Sequence, residues 1–140
     1  MEITSKKAWA FGFLLILLFV LLSELTIVFN DYVFHRMGID RNLTLAALWL
    51  VPMLAAYLAS YYSRSFKLLV GLTYALILPI FGALAHYIHG ELGGVVDFRG
   101  FSGAVVVFKI YFAVGSIIVL IGTGLGMLLS KSGEQNRHSI

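Results

Sequence analysis

Four long apolar stretches dominate this chain and restrict what it can fold into. They cover approximately residues 9–29, 43–62, 68–88 and 104–129. The hydrocarbon core of a bilayer is about 30 Å thick, and a helix needs about 20 apolar residues to cross it. Each stretch reaches that length, so the sequence predicts an all-α polytopic membrane protein whose four transmembrane helices form an antiparallel bundle.

The chain has room for one domain only. Of its 140 residues, 60% are hydrophobic, so we expect the bundle to take up residues 1–130. A short polar C-terminal tail, 131–140, and a glycine-rich loop, 90–103, remain. A backbone of this kind lacks hydrogen-bond partners in lipid, so we expect the loop on the outer surface or folded over the bundle mouth as a lid. The short connection 63–67 predicts that the second and third spans are antiparallel neighbours.

Charge and cysteine content exclude several classes of function. The ten Lys and Arg residues and seven Asp and Glu residues form no long run of one sign, so we do not expect nucleic acid as a partner. The absence of cysteine excludes thiol chemistry on this chain. No HExxH, GxSxG or P-loop motif occurs, and we do not expect an enzyme.

The distribution of basic residues predicts an orientation. The N-terminus, the second connection and the tail carry six of the ten: Lys6, Lys7, Arg64, Lys67, Lys131 and Arg137. Because Lys and Arg are enriched on the cytoplasmic side, we predict a multi-pass protein of a bacterial inner membrane with both termini in the cytoplasm.

The second span contains two local signals. Either Asp40 or Asn42 can cap its first turn, because a short polar side chain accepts hydrogen bonds from the free amides there. Pro52 lies near its middle and predicts a kink, since proline has no amide hydrogen and its ring clashes with the preceding turn.

Small residues recur at intervals of three or four in spans two, three and four, the spacing that lets helices approach closely in lipid. The candidate packing residues are Ala55, Ala59, Gly71, Ala75, Gly82, Gly115, Gly122 and Gly126. The number of these residues exceeds what the packing of one isolated bundle of this size needs. We therefore expect a homo-oligomer or a larger membrane complex. The leading interpretation is an accessory, assembly or regulatory (immunity-type) protein that acts through helix–helix contacts in the lipid bilayer, without a cofactor.

Glu24 is an acid inside the first apolar stretch, where ionisable residues are costly and usually face the bundle interior. Lys109 lies at a similar depth, because each residue is five positions from the outer end of its predicted span. A buried ion pair between Glu24 and Lys109 would fix the first helix to the last. If the fourth span begins nearer Val107, Lys109 instead lies at the interface and its ammonium reaches the headgroups.

The first alternative is a small proton-coupled transporter. An unpaired Glu24 in a low dielectric can carry a proton or hold a cationic substrate. The layout resembles that of the small multidrug resistance exporters, which are four-span chains with both ends inside and one essential acid in the first span. The long loop 90–103 departs from those compact chains, and no family motif surrounds Glu24.

The second alternative is a metal or haem site at the outer face. The polar residues there are Asp31, His35, His86, His89 and Glu91. His86 and His89 are three positions apart and share one helical face, and imidazoles with a carboxylate suit zinc, copper or nickel. His35 and His86 are candidate axial ligands of a haem. The same residues are typical of interfacial anchoring, because histidine has an apolar body and a polar tip.

Overall fold

The computed structural model describes residues 5–28, 35–94 and 99–138. Its helices, numbered in chain order, are α1 (Ser5–Val28), α2 (Arg41–Leu48), α3 (Leu50–Tyr62), α4 (Lys67–Glu91) and α5 (Gly100–His138). Within these ranges there is no strand, and the helices pack against one another, which confirms the predicted all-α bundle of four membrane-length helices.

Four helical segments are long and apolar enough to cross a membrane, and α2 with α3 forms one of them. Their outward faces carry large apolar side chains. Along α4, Leu72, Leu76, Ile80 and Leu84 are spaced by four and are each about half exposed. A water-soluble protein rarely exposes so continuous an apolar surface, whereas lipid requires it. These surfaces are those of a multi-pass membrane protein.

The second span is divided into α2 and α3 at Trp49. Asp40 caps α2, because its Oδ1 accepts hydrogen bonds from the backbone N–H groups of Asn42 and Leu43 at 2.7 and 3.2 Å. Pro52 is the third residue of α3 and has no N–H to donate to the carbonyl of Leu48, four positions earlier. The predicted kink therefore takes the form of a break just before Pro52.

The last helix is longer than the predicted span of 104–129. It begins at Gly100 and continues to His138, through most of the segment predicted as a separate tail. Since α4 continues to Glu91, both ends of the predicted loop 90–103 are helical. Residues 95–98 of that loop lie outside the described ranges.

The helices pack around α3 and α4. Both α1 and α5 contact these two helices, and the most extensive contacts are those of α5 with α4 and with α3. All eight candidate packing residues of the sequence analysis are buried. A Cβ atom added to Gly122 would overlap the backbone of Met53, and one added to Gly71 would overlap Thr123. These small residues thus make contacts within one chain, and the oligomer inferred from them stays a prediction.

Hydrogen bonds join the helices at the end where α1 begins, which we call the amino-terminal end. Trp9 Nε1 donates to Ser63 Oγ at 2.7 Å, and the Tyr74 hydroxyl donates to the carbonyl of Trp9 at 2.5 Å. Lys67 Nζ donates to Ser130 Oγ at 2.5 Å, joining α4 to α5. We call the opposite end of the bundle the Glu24 end.

Candidate functional site

Glu24 lies one turn before the end of α1 and faces α4. The residue is 9% exposed. Its carboxylate Oε2 is 2.7 Å from His89 Nδ1, and its Oε1 is 3.6 Å from His86 Nδ1. Because His86 and His89 are three positions apart on α4, both imidazoles reach the same carboxylate. Sequence analysis had assigned Glu24 and the two histidines to separate candidate sites, and the fold brings them together.

Tyr111 of α5 reaches the same place. Its hydroxyl is hydrogen bonded to the side chain of Ser23, and it lies close enough to interact electrostatically with Glu24. The ring passes over Gly82 of α4, where a Cβ atom would overlap it. Gly82 therefore allows a tyrosine from α5 to extend toward α1. We call the set Ser23, Glu24, His86, His89 and Tyr111 the Glu24 cluster.

Aromatic rings form the floor of the Glu24 cluster on the side facing the amino-terminal end. The ring of Trp49 is 4.9 Å from Phe19 and 5.3 Å from Tyr111, measured between centroids. Trp49 occupies the break between α2 and α3, so the effect of Pro52 on the backbone positions this ring. The floor places apolar rings on this side of the polar groups, and in such surroundings hydrogen bonds and charges interact more strongly than in water.

A glycine turn lies against His89 at the Glu24 end. The backbone N–H of Gly94 donates to the carbonyl of His89 at 3.0 Å, and a Cβ atom at Gly94 would overlap the His89 ring. Arg99 Nη2 donates to the Gly94 carbonyl at 3.2 Å. The side chains of Glu24 and His89 retain exposures of only 12% and 14%. This turn is the first part of the predicted glycine-rich loop, and it packs against the His89 ring.

Lys109 does not contact Glu24. It is exposed on α5, and the described contacts of the Glu24 carboxylate go to histidines. The angle between successive residues of a helix is about 100°, so Lys109 and Tyr111 point about 200° apart. Since Tyr111 faces the bundle, Lys109 faces outward. The ion pair expected between Glu24 and Lys109 is replaced by the two histidines, and Lys109 lies where lipid or headgroups surround it.

The outer-face metal site is not assembled from the residues that the structure describes. His35 and Glu91 are exposed, whereas His86 is buried against Glu24. Asp31 lies outside the described residues. In residues 5–28, 35–94 and 99–138, no group of three or more His, Asp or Glu side chains is arranged to hold a metal ion.

Sequence reasoning missed two residues of the cluster, Ser23 and, on α5, Tyr111. A signal for it was present, because Tyr111 lies on the same face of α5 as Gly115, Gly122 and Gly126, within about 60° of each. A polar aromatic residue on the glycine face of a span is directed into the bundle. The same arithmetic directs Lys109 away from it.

The Glu24 cluster can hold a proton in two places. At 2.7 Å, either His89 Nδ1–H donates to a carboxylate, or a protonated Glu24 donates to a neutral imidazole. Moving the proton between them requires little displacement of heavy atoms.

No protein-family model, curated protein or solved structure matches this chain.

Proposed function

We propose that this protein is a small proton-coupled membrane carrier in which Glu24, together with His86 and His89, binds the coupling proton. The 2.7 Å contact between Glu24 and His89 inside the bundle is the observation that carries the proposal. Ionisable residues at this depth are rare, and in membrane proteins they mark proton relays and ion pathways.

The identity of the partner favours proton exchange over a purely structural role. An acid beside lysine stays ionised at every physiological pH, because the ordinary pKa of lysine is about 10.4. Histidine is the side chain whose ordinary pKa, about 6.5, lies within the physiological range. The group formed by Glu24, His89 at 2.7 Å and His86 at 3.6 Å therefore gains one positive charge when it binds a proton.

The surroundings of the Glu24 cluster support one route for the proton. His89 lies beneath the Gly94 turn at the Glu24 end and is the more exposed partner of the carboxylate. The aromatic floor lies on the other side. In the proposed cycle, protons enter past His89, and movement of the floor opens the cluster toward the amino-terminal end.

The proposal includes an orientation. Six of the ten basic residues belong to the amino-terminal end by sequence, so we place both termini in the cytoplasm of a bacterial inner membrane. Protons then enter from the outside, in the direction of the proton gradient across such a membrane.

Proton flux into liposomes tests this function. The purified protein is reconstituted into liposomes that contain a pH-sensitive dye, and a pH gradient with the acid side outside is imposed. The internal pH reported by the dye is followed with and without tetraphenylphosphonium as the probe cation. We expect dissipation of the gradient by the wild type and loss of that flux in Glu24→Gln, because the amide cannot bind the proton.

Glu91→Gln is the matched control, since Glu91 is an exposed acid at the same end of the bundle. It is expected to retain wild-type flux. Wild-type flux in a folded Glu24→Gln variant, or equal losses in both variants, would contradict the proposal. Size-exclusion profiles and circular dichroism establish that each variant is folded.

A further inference from the structure

Two grooves flank α1 at the amino-terminal end. One, with a volume of 400 Å³, lies between α1 and α4 and is lined by Ser5, Lys6, Trp9, Ser65, Phe66 and Leu69. The other, with a volume of 440 Å³, lies between α1 and α3 and is lined by Lys7, Ala8, Phe11, Leu58 and Tyr62. Each groove combines a lysine with aromatic and aliphatic surface, as an interface between headgroups and acyl chains requires.

The charge of this end selects the kind of headgroup. Among the side chains that the structure describes, the amino-terminal end carries four bases and no acid: Lys6, Lys7, Arg64 and Lys67. At the opposite end, four bases (Arg36, Arg41, Arg99 and Lys109) are accompanied by three acids, Glu24, Asp40 and Glu91. An anionic headgroup complements this end, and a zwitterionic one does so less well.

The groove between α1 and α4 is the better-built of the two. The backbone N–H of Arg64 donates to Ser5 Oγ at 3.1 Å, and Trp9 is hydrogen bonded to Ser63, so α1 is fixed to the turn that joins α3 to α4. Phe66 in that turn has a left-handed backbone with φ of 55° and is 77% exposed. The turn therefore presents an aromatic ring at the rim of the groove.

We propose that this groove binds an anionic phospholipid of the membrane. The phosphate lies at Lys6 and Ser65, which supply an ammonium and a hydroxyl donor, and an acyl chain lies along Trp9 and Leu69. The proposal is independent of proton transport, since none of these residues belongs to the Glu24 cluster.

Native mass spectrometry of the full chain in detergent tests this inference. Phosphatidylglycerol and phosphatidylcholine with identical acyl chains are titrated separately, and their affinities are compared. We expect tighter binding of phosphatidylglycerol by the wild type. Lys6→Gln is expected to weaken that binding about fivefold, the effect of one basic residue near an anionic surface. It should leave phosphatidylcholine affinity unchanged, and Lys6→Arg should retain the preference.

Lys109→Gln is the control, because Lys109 is an exposed lysine outside both grooves. It is expected to bind phosphatidylglycerol as the wild type does. Equal affinities of the wild type for the two lipids would overturn the proposal, as would wild-type affinity in Lys6→Gln or an equal loss in Lys109→Gln.

Discussion

Glu24 is an ionisable residue buried in the bundle, and its environment carries the proposed function. An ionised carboxylate at the centre of a bilayer costs about 2.5–3.5 kcal/mol on translocon-based scales. In this fold the carboxylate contacts His89 at 2.7 Å and has His86 and Tyr111 nearby, so polar groups of α4 and α5 replace part of its lost hydration. Its closest partner is a histidine, whose imidazole nitrogen can donate or accept the hydrogen bond at this contact.

A double-mutant cycle measures that contact. Glu24→Gln and His89→Gln each remove one partner, and we expect the unfolding free energies of the single and double variants to be non-additive by about 1 kcal/mol or more. The measurement is reversible unfolding in mixed detergent micelles. Additive effects would contradict a direct interaction between Glu24 and His89.

A second cycle on Glu24→Gln and Lys109→Met provides the comparison. Lys109 is exposed and faces away from Tyr111, so we expect the two changes to add within about 0.5 kcal/mol. Partial rescue of Glu24→Gln by Lys109→Met would instead support the ion pair that the sequence suggested.

At the scale of the helices, glycines on one face of α5 allow it to pack closely on α3 and α4. Gly122 contacts the backbone of Met53, and Gly115 accommodates the side chain of Leu78. In lipid, where the hydrophobic effect does not drive helices together, such close approach supplies much of the association energy. The break at Trp49 acts at the same scale, because it turns one helix into two segments with an aromatic ring at their junction.

Alanine substitutions at Gly122 and Gly124 distinguish the effect of close packing on stability from the effect of helix propensity. Gly122→Ala places a Cβ atom into the backbone of Met53, and we expect it to lower the unfolding free energy by about 1–3 kcal/mol. Gly124→Ala meets open space and should be neutral or slightly stabilising. The unfolding free energies of the two variants are measured and compared in mixed detergent micelles. A loss at Gly124 equal to that at Gly122 would indicate a partner helix on the open face and would support the predicted oligomer.

The whole molecule has a marked difference between its ends. The described basic cluster of Lys6, Lys7, Arg64 and Lys67 lies at the amino-terminal end, whereas Glu24 and its histidines lie near the other. The proposed carrier requires these ends to face the cytoplasm and the outside, respectively. The direction of proton entry depends on that orientation.

Cysteine labelling tests the orientation, because the chain contains no cysteine of its own. Single variants Ser65→Cys and Glu91→Cys place a thiol at exposed positions on opposite ends. With a membrane-impermeant maleimide on intact bacterial cells, we expect Glu91→Cys to react at once and Ser65→Cys to react only after permeabilisation. The reverse pattern would invert the orientation.

Much of the architecture could be predicted from the sequence, because in lipid the length and hydropathy of a segment largely decide whether it spans. The existence of four spans, a cap at Asp40 or Asn42 and an interruption near Pro52 depend on local chemistry; the structure has the four spans, the cap at Asp40 and the interruption. The predicted ends of the spans were less accurate, because a helix such as α5 continues beyond the apolar residues from which its span was predicted.

Only the tertiary structure decided which residue meets Glu24. Depth along the membrane predicted Lys109 as the partner, whereas the histidines, which also lie near the outer ends of their spans, were assigned to a separate site. The rotation of each helix about its own axis determines which of these side chains faces Glu24. Burial of the glycines of α5 turns Lys109 outward and Tyr111 inward, while packing of α1 against α4 brings His86 and His89 to the carboxylate. The rotation of a helix and the identity of its neighbouring helices depend on the packing of the whole bundle, so the sequence of one span does not determine them.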